Sequence, residues 1–242
     1  MANLLIEIGN TALKAAWADG VTLGKIVRYQ GEKKTEFILS LIEKDKPEIM
    51  VIASVYDVPA LEIKRIKRIF ERTVILDPSH SGLLGEFGLP DYLTFDRAAA
   101  LIGAKHMFSG KPFTLFDFGN TLTIDFIDAD GVYQGGNVSL GCRTRFKALN
   151  RYSRALPLVN VPEKEPVLGT SVQSSLEAGV ISGIVFEING YIASKPDNVV
   201  IFTGGDANYF AKRMKNSIFV ICNIVLMGLA IITDEYISKK IR

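Results

Sequence analysis

Residues 6–11 read IEIGNT and residues 116–121 read FDFGNT, so the pattern of an acid, an apolar residue and Gly-Asn-Thr occurs twice in the chain. A short apolar run typical of a buried strand precedes each Gly-Asn, which is itself a tight-turn signal. Each copy then continues as strand, turn and strand. The predicted segments are 3–8, 12–18 and 25–29 in the first copy, and 114–118, 122–128 and 132–140 in the second. The repeat predicts a three-stranded antiparallel meander at the start of each half.

Helical patterns and further strands follow each meander. The predicted helices are 35–44, 61–72, 98–108, 172–192 and 208–215, and the added strands are 49–54 and 199–202. Pro112 comes just before the second copy. The sequence therefore predicts two similar α/β halves, residues 1–112 and 113–242.

Composition excludes several classes of protein. Lysine plus arginine (28) nearly balances aspartate plus glutamate (26), so no basic excess indicates a nucleic-acid partner. Two cysteines suit a reducing compartment. The apolar run 218–232 is shorter than the roughly 20 residues of a membrane span and predicts a buried strand followed by a buried helix. Because the N-terminus also lacks a basic region, we expect a cytoplasmic protein with no membrane segment.

Each Gly-Asn-Thr is open to two interpretations. It can be an ordinary hairpin turn, and for one copy alone this would be favoured. Alternatively, its glycine lets backbone approach a phosphate while Asn and Thr donate hydrogen bonds. The acids two residues earlier, Glu7 and Asp117, could then hold a metal ion or its water shell. Two matching copies favour phosphate binding, with both hairpins facing one cleft.

Two other segments carry possible chemistry. Residues 203–207, TGGDA, place a glycine pair at the end of a predicted strand, where a ligand can lie against backbone. Asp96 precedes the predicted helix 98–108, and it can be a helix N-cap or a catalytic carboxylate. No nucleophile–histidine–acid arrangement stands out, which disfavours hydrolase chemistry of that type.

Five motifs in the same order resemble type III pantothenate kinases, a branch of the superfamily of acetate and sugar kinases, heat-shock ATPases and actin. They are EIGNTALK (7–14), PDYLTFDR (90–97), DFGNTLTID (117–125), GGNVSLG (135–141) and TGGDA (203–207). The resemblance implies two ribonuclease-H-like (actin-like ATPase) halves, each with its meander in a mixed sheet flanked by helices.

The resemblance also implies a reaction, the ATP-dependent phosphorylation of pantothenate that begins coenzyme A synthesis, catalysed by a homodimer. Asp96 would accept the hydroxyl proton. Asp117 would bind a monovalent cation, potassium or ammonium, and Glu7 would order Mg²⁺ through water. The implied ATP-binding residues are Glu7, Gly9, Asn10, Thr11, Lys14, Gly119, Asn120, Gly204 and Gly205. The implied pantothenate-binding residues are Phe87, Thr94, Phe95, Arg97 and Val172.

Five of these positions differ from the family pattern. Glu7 replaces an aspartate, Thr94 a glycine, Asn120 and Val172 threonines, and Phe87 a frequent tyrosine. Three alternatives therefore stay open at this point: a working pantothenate kinase, a nucleotide-binding or regulatory relative with little turnover, and a kinase for another small hydroxyl substrate.

Overall fold

The computed structural model describes residues 2–78 and 85–240, and the first position and His80 lie outside that range. Three consecutive strands occur twice along it, and helices and single strands follow each group. The strands are β1 Asn3–Ile8, β2 Leu13–Asp19, β3 Thr22–Tyr29, β4 Met50–Ser54, β5 Thr73–Leu76, β6 Phe113–Phe118, β7 Thr121–Ile127, β8 Tyr133–Leu140, β9 Val199–Gly204 and β10 Phe219–Val220. The helices are α1 Lys34–Lys44, α2 Ala60–Ile69, α3 Phe95–Met107, α4 Cys142–Tyr152, α5 Val172–Ser194, α6 Ala207–Ala211 and α7 Ile224–Lys240.

Within the described residues the strands form two five-stranded mixed sheets. Their strand orders are β3-β2-β1-β4-β5 and β10-β9-β6-β7-β8. In each sheet three antiparallel strands form the meander, and two parallel strands are added beside its first strand. The predicted α/β fold with repeated meanders is therefore confirmed.

The chain divides into two compact units whose boundaries differ from those predicted from the sequence. One unit is Met1–Met107 together with Asn223–Arg242, and the other is Phe108–Cys222. The sequence-based division put all of 113–242 in the second half. The difference arises because α7 packs against α3, so the last helix joins the first unit.

In the first unit, alternate residues of β1 face opposite sides of the sheet. Leu4, Ile6 and Ile8 pack into a cluster with buried residues of α1 and α2. The intervening residue Glu7 must therefore point to the other side. On that side α7 contacts β1, β2 and β3, and α3 contacts β4.

In the second unit β6 shows the same alternation of faces, and its core-facing residues next to the acid are aromatic. Phe116 and Phe118 flank Asp117 and are buried in the cluster that contains α5. Phe118 lies 4.8 Å from Phe202 and 5.2 Å from Phe210, measured between ring centroids. These rings hold β6, β9 and α6 together and leave the Asp117 carboxylate on the opposite face.

The α5 helix is, among the described residues, long and apolar enough by length and composition to cross a membrane. Core helices of soluble proteins pass the same test. Seven residues of α5 are buried within the chain, including Ile181, Ile184 and Ile188, which belong to the aromatic cluster of the second unit.

Several elements differ from the sequence-based predictions. β5 and α4 were not predicted, and β10 is two residues long with side chains that are not buried. The helix predicted at 98–108 begins three residues earlier, at Phe95. Its first turn is closed by the hydrogen bond from the Ala98 N–H to the Thr94 carbonyl, 2.9 Å, and Phe95 is buried within that turn.

The α3–α7 contact brings two helix backbones unusually close. A Cβ added at Gly228 of α7 would lie 1.8 Å from the Ala99 carbonyl oxygen of α3. A Cβ at Gly103 would lie 2.7 Å from the Ile224 carbonyl oxygen. Small residues on both helices thus permit an approach that any larger side chain would block.

We expect Gly228→Ala to destabilise the protein by about 1–3 kcal/mol, the usual cost of overpacking a close contact. The measurement is urea unfolding at equilibrium. Gly190→Ala is a matched control, since Gly190 also lies inside a helix but has no atom within 4 Å of an added Cβ. That control should stabilise by roughly 0.5–1 kcal/mol. Equal effects of the two substitutions would contradict the packing interpretation.

Candidate active site

The first Gly-Asn-Thr forms the hairpin between β1 and β2. The Gly9 N–H donates to the Ala12 carbonyl, 3.0 Å, and Ile8 pairs with Leu13 across the hairpin. Asn10 and Thr11 lie exposed at its tip. The tip therefore exposes two polar side chains, and that they bind a phosphate stays a prediction.

Glu7 and Lys14 are cross-strand partners at the base of this hairpin. The Lys14 Nζ lies 3.3 Å from the Glu7 Oε2, and both side chains are largely shielded from solvent. Burial raises the pKa of Glu7 above its ordinary value, and the neighbouring Lys14 ammonium only partly opposes this shift. A carboxyl group with a pKa shifted by burial and by a specific charged partner is a candidate for a functional site.

Asp96 lies in the first turn of α3, and its negative charge raises the pKa of Glu7 further. Its Oδ1 accepts a hydrogen bond from the Arg97 N–H, 2.8 Å. Since Thr94 holds the position before the helix, the sequence-based possibility that Asp96 is merely the N-cap is wrong. Asp96 is instead a half-buried carboxylate within electrostatic reach of Glu7.

A cavity of about 120 Å³ opens beside the start of α3. Its described lining residues are Ser54, Pro78, Asp91, Tyr92, Leu93, Thr94 and Phe95. Phe95 contributes to this wall although it is only 2% exposed. Phe87, a predicted ligand contact, is half-buried in the preceding segment, and its carbonyl accepts from the Lys105 Nζ at 3.5 Å.

The second Gly-Asn-Thr forms the hairpin between β6 and β7, closed by the Gly119 N–H donating to the Thr121 carbonyl, 2.9 Å. The Asn120 carbonyl accepts two further hydrogen bonds, from the Gly141 N–H at 2.9 Å and from the Thr144 Oγ1 at 2.7 Å. A Cβ at Gly141 would lie 2.1 Å from the Gly119 carbonyl oxygen. The beginning of α4 thus fixes this hairpin, a role that the sequence did not reveal.

Asp117 lies beside the glycine pair that ends β9. Gly204 has φ of +90°, and a Cβ there would lie 2.4 Å from the Asp117 Oδ1. Glycine is therefore required twice at this position, for the backbone conformation and for the space next to the carboxylate. Gly205 follows directly, and the Asp206 N–H donates to the Phe118 carbonyl, 3.3 Å.

Asp206 adds a second carboxyl group to this end of the second unit. Burial raises its pKa, while the Arg143 guanidinium acts in the opposite direction. Burial also raises the pKa of the Cys142 thiol to about 12, so this cysteine stays protonated and belongs to the packing of α4.

The described residues include no cluster of three or more histidine, cysteine, aspartate or glutamate side chains that could hold a metal. A magnesium ion bound with nucleotide needs only one or two carboxylates, because phosphates and water supply the other ligands. Glu7 fits that role, since Lys14 contacts one of its two carboxylate oxygens. Asp117, whose Oδ1 lies close against the Gly204 backbone, is the carboxylate of the second unit that a monovalent cation would use.

The predicted site residues thus fall into two groups, one in each unit. Glu7, Lys14 and Asp96 come together in the first unit, where the Gly9 hairpin and the α3 start also lie. The second unit brings together Asp117, Gly119, Asn120, Gly204 and Gly205. Val172 lies at the first residue of α5 and is exposed. Ser54 was missed, although its position at the end of a parallel strand is where α/β sheets bind ligands.

Comparison with known proteins identifies the family of this chain. The family model described as type III pantothenate kinase matches residues 3–194. The chain belongs to the type III pantothenate kinase family. A relative named type III pantothenate kinase from Bacteroides fragilis is 34% identical over 233 residues, covering 94% of this chain and 95% of the relative. Another of that name, from Flavobacterium psychrophilum, is 34% identical over 236 residues, covering 93% and 96%.

Solved structures share the fold of this type III pantothenate kinase family member. A Campylobacter jejuni protein described as a Baf family transcriptional activator has a TM-score of 0.62 at 20% identity, covering 97% of this chain and 99% of that one. The activator of 2-hydroxyisocaproyl-CoA dehydratase from Clostridium difficile, with bound ADPNP, has a TM-score of 0.57 at 12% identity, covering 100% and 98%. At these identities the likeness concerns the fold alone. The sequence-based family assignment is confirmed.

The surroundings of Glu7 lead to a prediction about stability. Because its pKa is raised in the folded state, Glu7 weakens folding as the pH rises above its ordinary value of 4.5. We therefore expect Glu7→Gln to raise the melting temperature at pH 8, with the gain shrinking as the pH falls toward that value, while turnover decreases. Thermal unfolding across this pH range tests the idea.

Glu7→Asp is the matched control for this prediction, since it keeps the charge and restores the shorter side chain of the family pattern. It should keep or improve turnover and leave the pH dependence of stability in place. A lower melting temperature of Glu7→Gln at pH 8 would show that the Lys14 pair stabilises more than the burial of Glu7 costs.

Proposed function

We propose that this protein transfers the γ-phosphoryl group of ATP to the primary hydroxyl of pantothenate. Family membership supports the reaction, and one observation supports its location. The Asp96 carboxylate lies at the start of α3, within electrostatic reach of the Glu7–Lys14 pair at the base of the first Gly-Asn-Thr hairpin. An acid that can accept a proton thus lies near groups suited to a nucleotide's phosphates.

In the proposed reaction Asp96 takes the proton of the pantothenate hydroxyl. The hydroxyl oxygen forms a bond to the γ-phosphorus, the bond from that phosphorus to the bridging oxygen breaks, and ADP leaves. The N–H groups in the first turn of α3 favour negative charge at Asp96. Arg97, next to it, would bind the pantothenate carboxylate and direct the hydroxyl toward Asp96.

The hairpins and acids supply the remaining parts of the proposal. Gly9, Asn10, Thr11 and Lys14 would contact ATP phosphates from the first unit, and Gly119, Asn120, Gly204 and Gly205 would contact ATP from the second. Mg²⁺, held by the phosphates and by Glu7 through water, would supply charge neutralisation. Potassium or ammonium would lie at Asp117. That both hairpins hold one nucleotide stays a prediction.

The catalytic proposal is tested by measuring ADP release from purified protein with Mg²⁺, potassium and pantothenate. We expect Asp96→Asn to lower kcat by about 10²-fold or more, the usual contribution of a general base. Arg97→Ala should chiefly raise the KM for pantothenate. Replacing potassium with sodium should lower the rate in the wild type.

Two results would contradict this proposal. Full activity of Asp96→Asn would remove Asp96 from the chemistry, since asparagine cannot accept the proton. A wild type that binds ATP but leaves pantothenate unphosphorylated would exclude the reaction. A panel of other small hydroxyl compounds in the same assay would then separate a kinase with a different substrate from a relative without turnover.

A homodimer is part of the proposal, and an exposed groove of the second unit supports it. The groove has a volume of about 660 Å³ and lies between α4 and α5. Its lining residues are Leu140, Arg145, Ala148, Leu149, Tyr152, Ser153, Ser175, Leu176, Gly179 and Val180. Most of this surface is apolar, and Tyr152 is 83% exposed. We propose that a second copy of the chain covers it.

We expect Tyr152→Asp to convert the dimer to a monomer, because a charge placed in an apolar interface loses its hydration without gaining a partner. Size-exclusion chromatography with light scattering measures the mass. Val167→Asp is the control, since Val167 is 92% exposed in the same unit but does not line the groove. Dimerisation of both variants at wild-type strength would place the interface elsewhere.

A further inference from the structure

Three charged residues form a row across the first meander. Glu7 of β1 pairs with Lys14 of β2, and Lys14 pairs with Arg28 of β3. Residues directly opposite on neighbouring strands point to the same face of a sheet. Burial raises the pKa of Glu7 and has the largest effect on it. The Arg28 guanidinium acts in the opposite direction and lowers that pKa. Arg28 is thus on the face of the sheet that carries the candidate active site.

Arg28 differs from three other cations of the chain, which form ion pairs with partly shielded carboxylates. Lys14 is paired with Glu7, Arg145 with Glu187 and Arg213 with Glu165. Within residues 2–78 and 85–240, the exposed Arg28 side chain forms no hydrogen bond or ion pair. Its guanidinium, which has five N–H donors, is therefore available to a ligand.

We propose that Arg28 binds the polyphosphate of ATP together with Lys14. The proposal rests on the proposed function only in requiring ATP as the ligand. Lys14 alone is poorly suited to the task, because the Glu7 carboxylate already offsets part of its charge. A second cation one strand away supplies the missing positive charge, and a guanidinium fork matches the geometry of phosphate oxygens.

A purely structural role for Arg28 is the competing explanation. In that case its charge only offsets Glu7 in the fold, and substitution would alter stability rather than nucleotide affinity. The two roles are separated by measuring ATP affinity and thermal unfolding on the same variants. ATP binding is measured without pantothenate, so the result does not depend on whether pantothenate is the substrate.

The experiment is isothermal titration of the full chain with Mg-ATP. We expect Arg28→Gln to weaken binding about tenfold, the usual scale for a lost charge-assisted hydrogen bond. Arg28→Lys, which keeps the charge but not the fork, should weaken it less. Lys25→Gln is the matched control, because Lys25 is also an exposed cation of β3. It lies three residues from Arg28, an odd number along the strand, and so does not share the alternating face of Arg28. It should bind ATP within twofold of the wild type.

Each outcome decides the proposal. Weaker ATP binding in Arg28→Gln with an unchanged melting temperature supports it, as does an intermediate affinity of Arg28→Lys. If Arg28→Gln does not fold, the affinity of Arg28→Lys is decisive. Wild-type ATP affinity in the folded Arg28 variants overturns the proposal. An equal loss in Lys25→Gln, or no ATP binding by the wild type, also overturns it.

Discussion

The pleat of two strands is the constraint on which the site depends. In β1 the buried neighbours Ile6 and Ile8 anchor one face of the strand, so Glu7 must emerge on the other. In β6 the buried rings of Phe116 and Phe118 impose the same orientation on Asp117. Each acid is therefore positioned by the burial of its two neighbours, and this is why the chain repeats an acid between apolar residues before Gly-Asn-Thr.

The helix layer behind the first sheet completes that positioning. α3 and α7 pack at backbone distance around Gly103 of α3 and Gly228 of α7. α7 also contacts β1, the strand that carries Glu7, and α3 carries Asp96 in its first turn. The small residues of this helix pair therefore belong to the packing of the unit that holds both acids.

The meanders, the central strands and most helices were predictable because their apolar periodicity or turn residues are local signals. α4 was not predicted, because its few apolar residues are spread among basic and polar ones, although Cys142 and Phe146 are buried one helical turn apart. Assigning α7 to the first unit required knowledge of its contact with α3, which no local pattern contains. The start of α3 was misplaced because Phe95 joins the helix through burial.

The candidate site was predictable to the extent that its residues lie in recognisable motifs. Glu7, Lys14 and Asp96 were identified in that way, but their mutual proximity depends on tertiary packing. The hydrogen bonds of Gly141 and Thr144 to the Asn120 carbonyl are of the same kind, because they join an unpredicted helix to a predicted turn. The motifs therefore identified the candidate residues, while tertiary packing determines which of them lie close together.

The glutamate at position 7 shows how the surroundings of one residue can accommodate a departure from the family pattern. A longer carboxylate in a buried position is costly unless a cation meets it. Here Lys14 lies directly opposite on β2 and reaches Glu7 at 3.3 Å, and the Arg28 charge acts in the same direction. Burial still outweighs both, as the raised pKa of Glu7 shows. Keeping a carboxylate at this position therefore costs folding free energy that a neutral side chain would not cost.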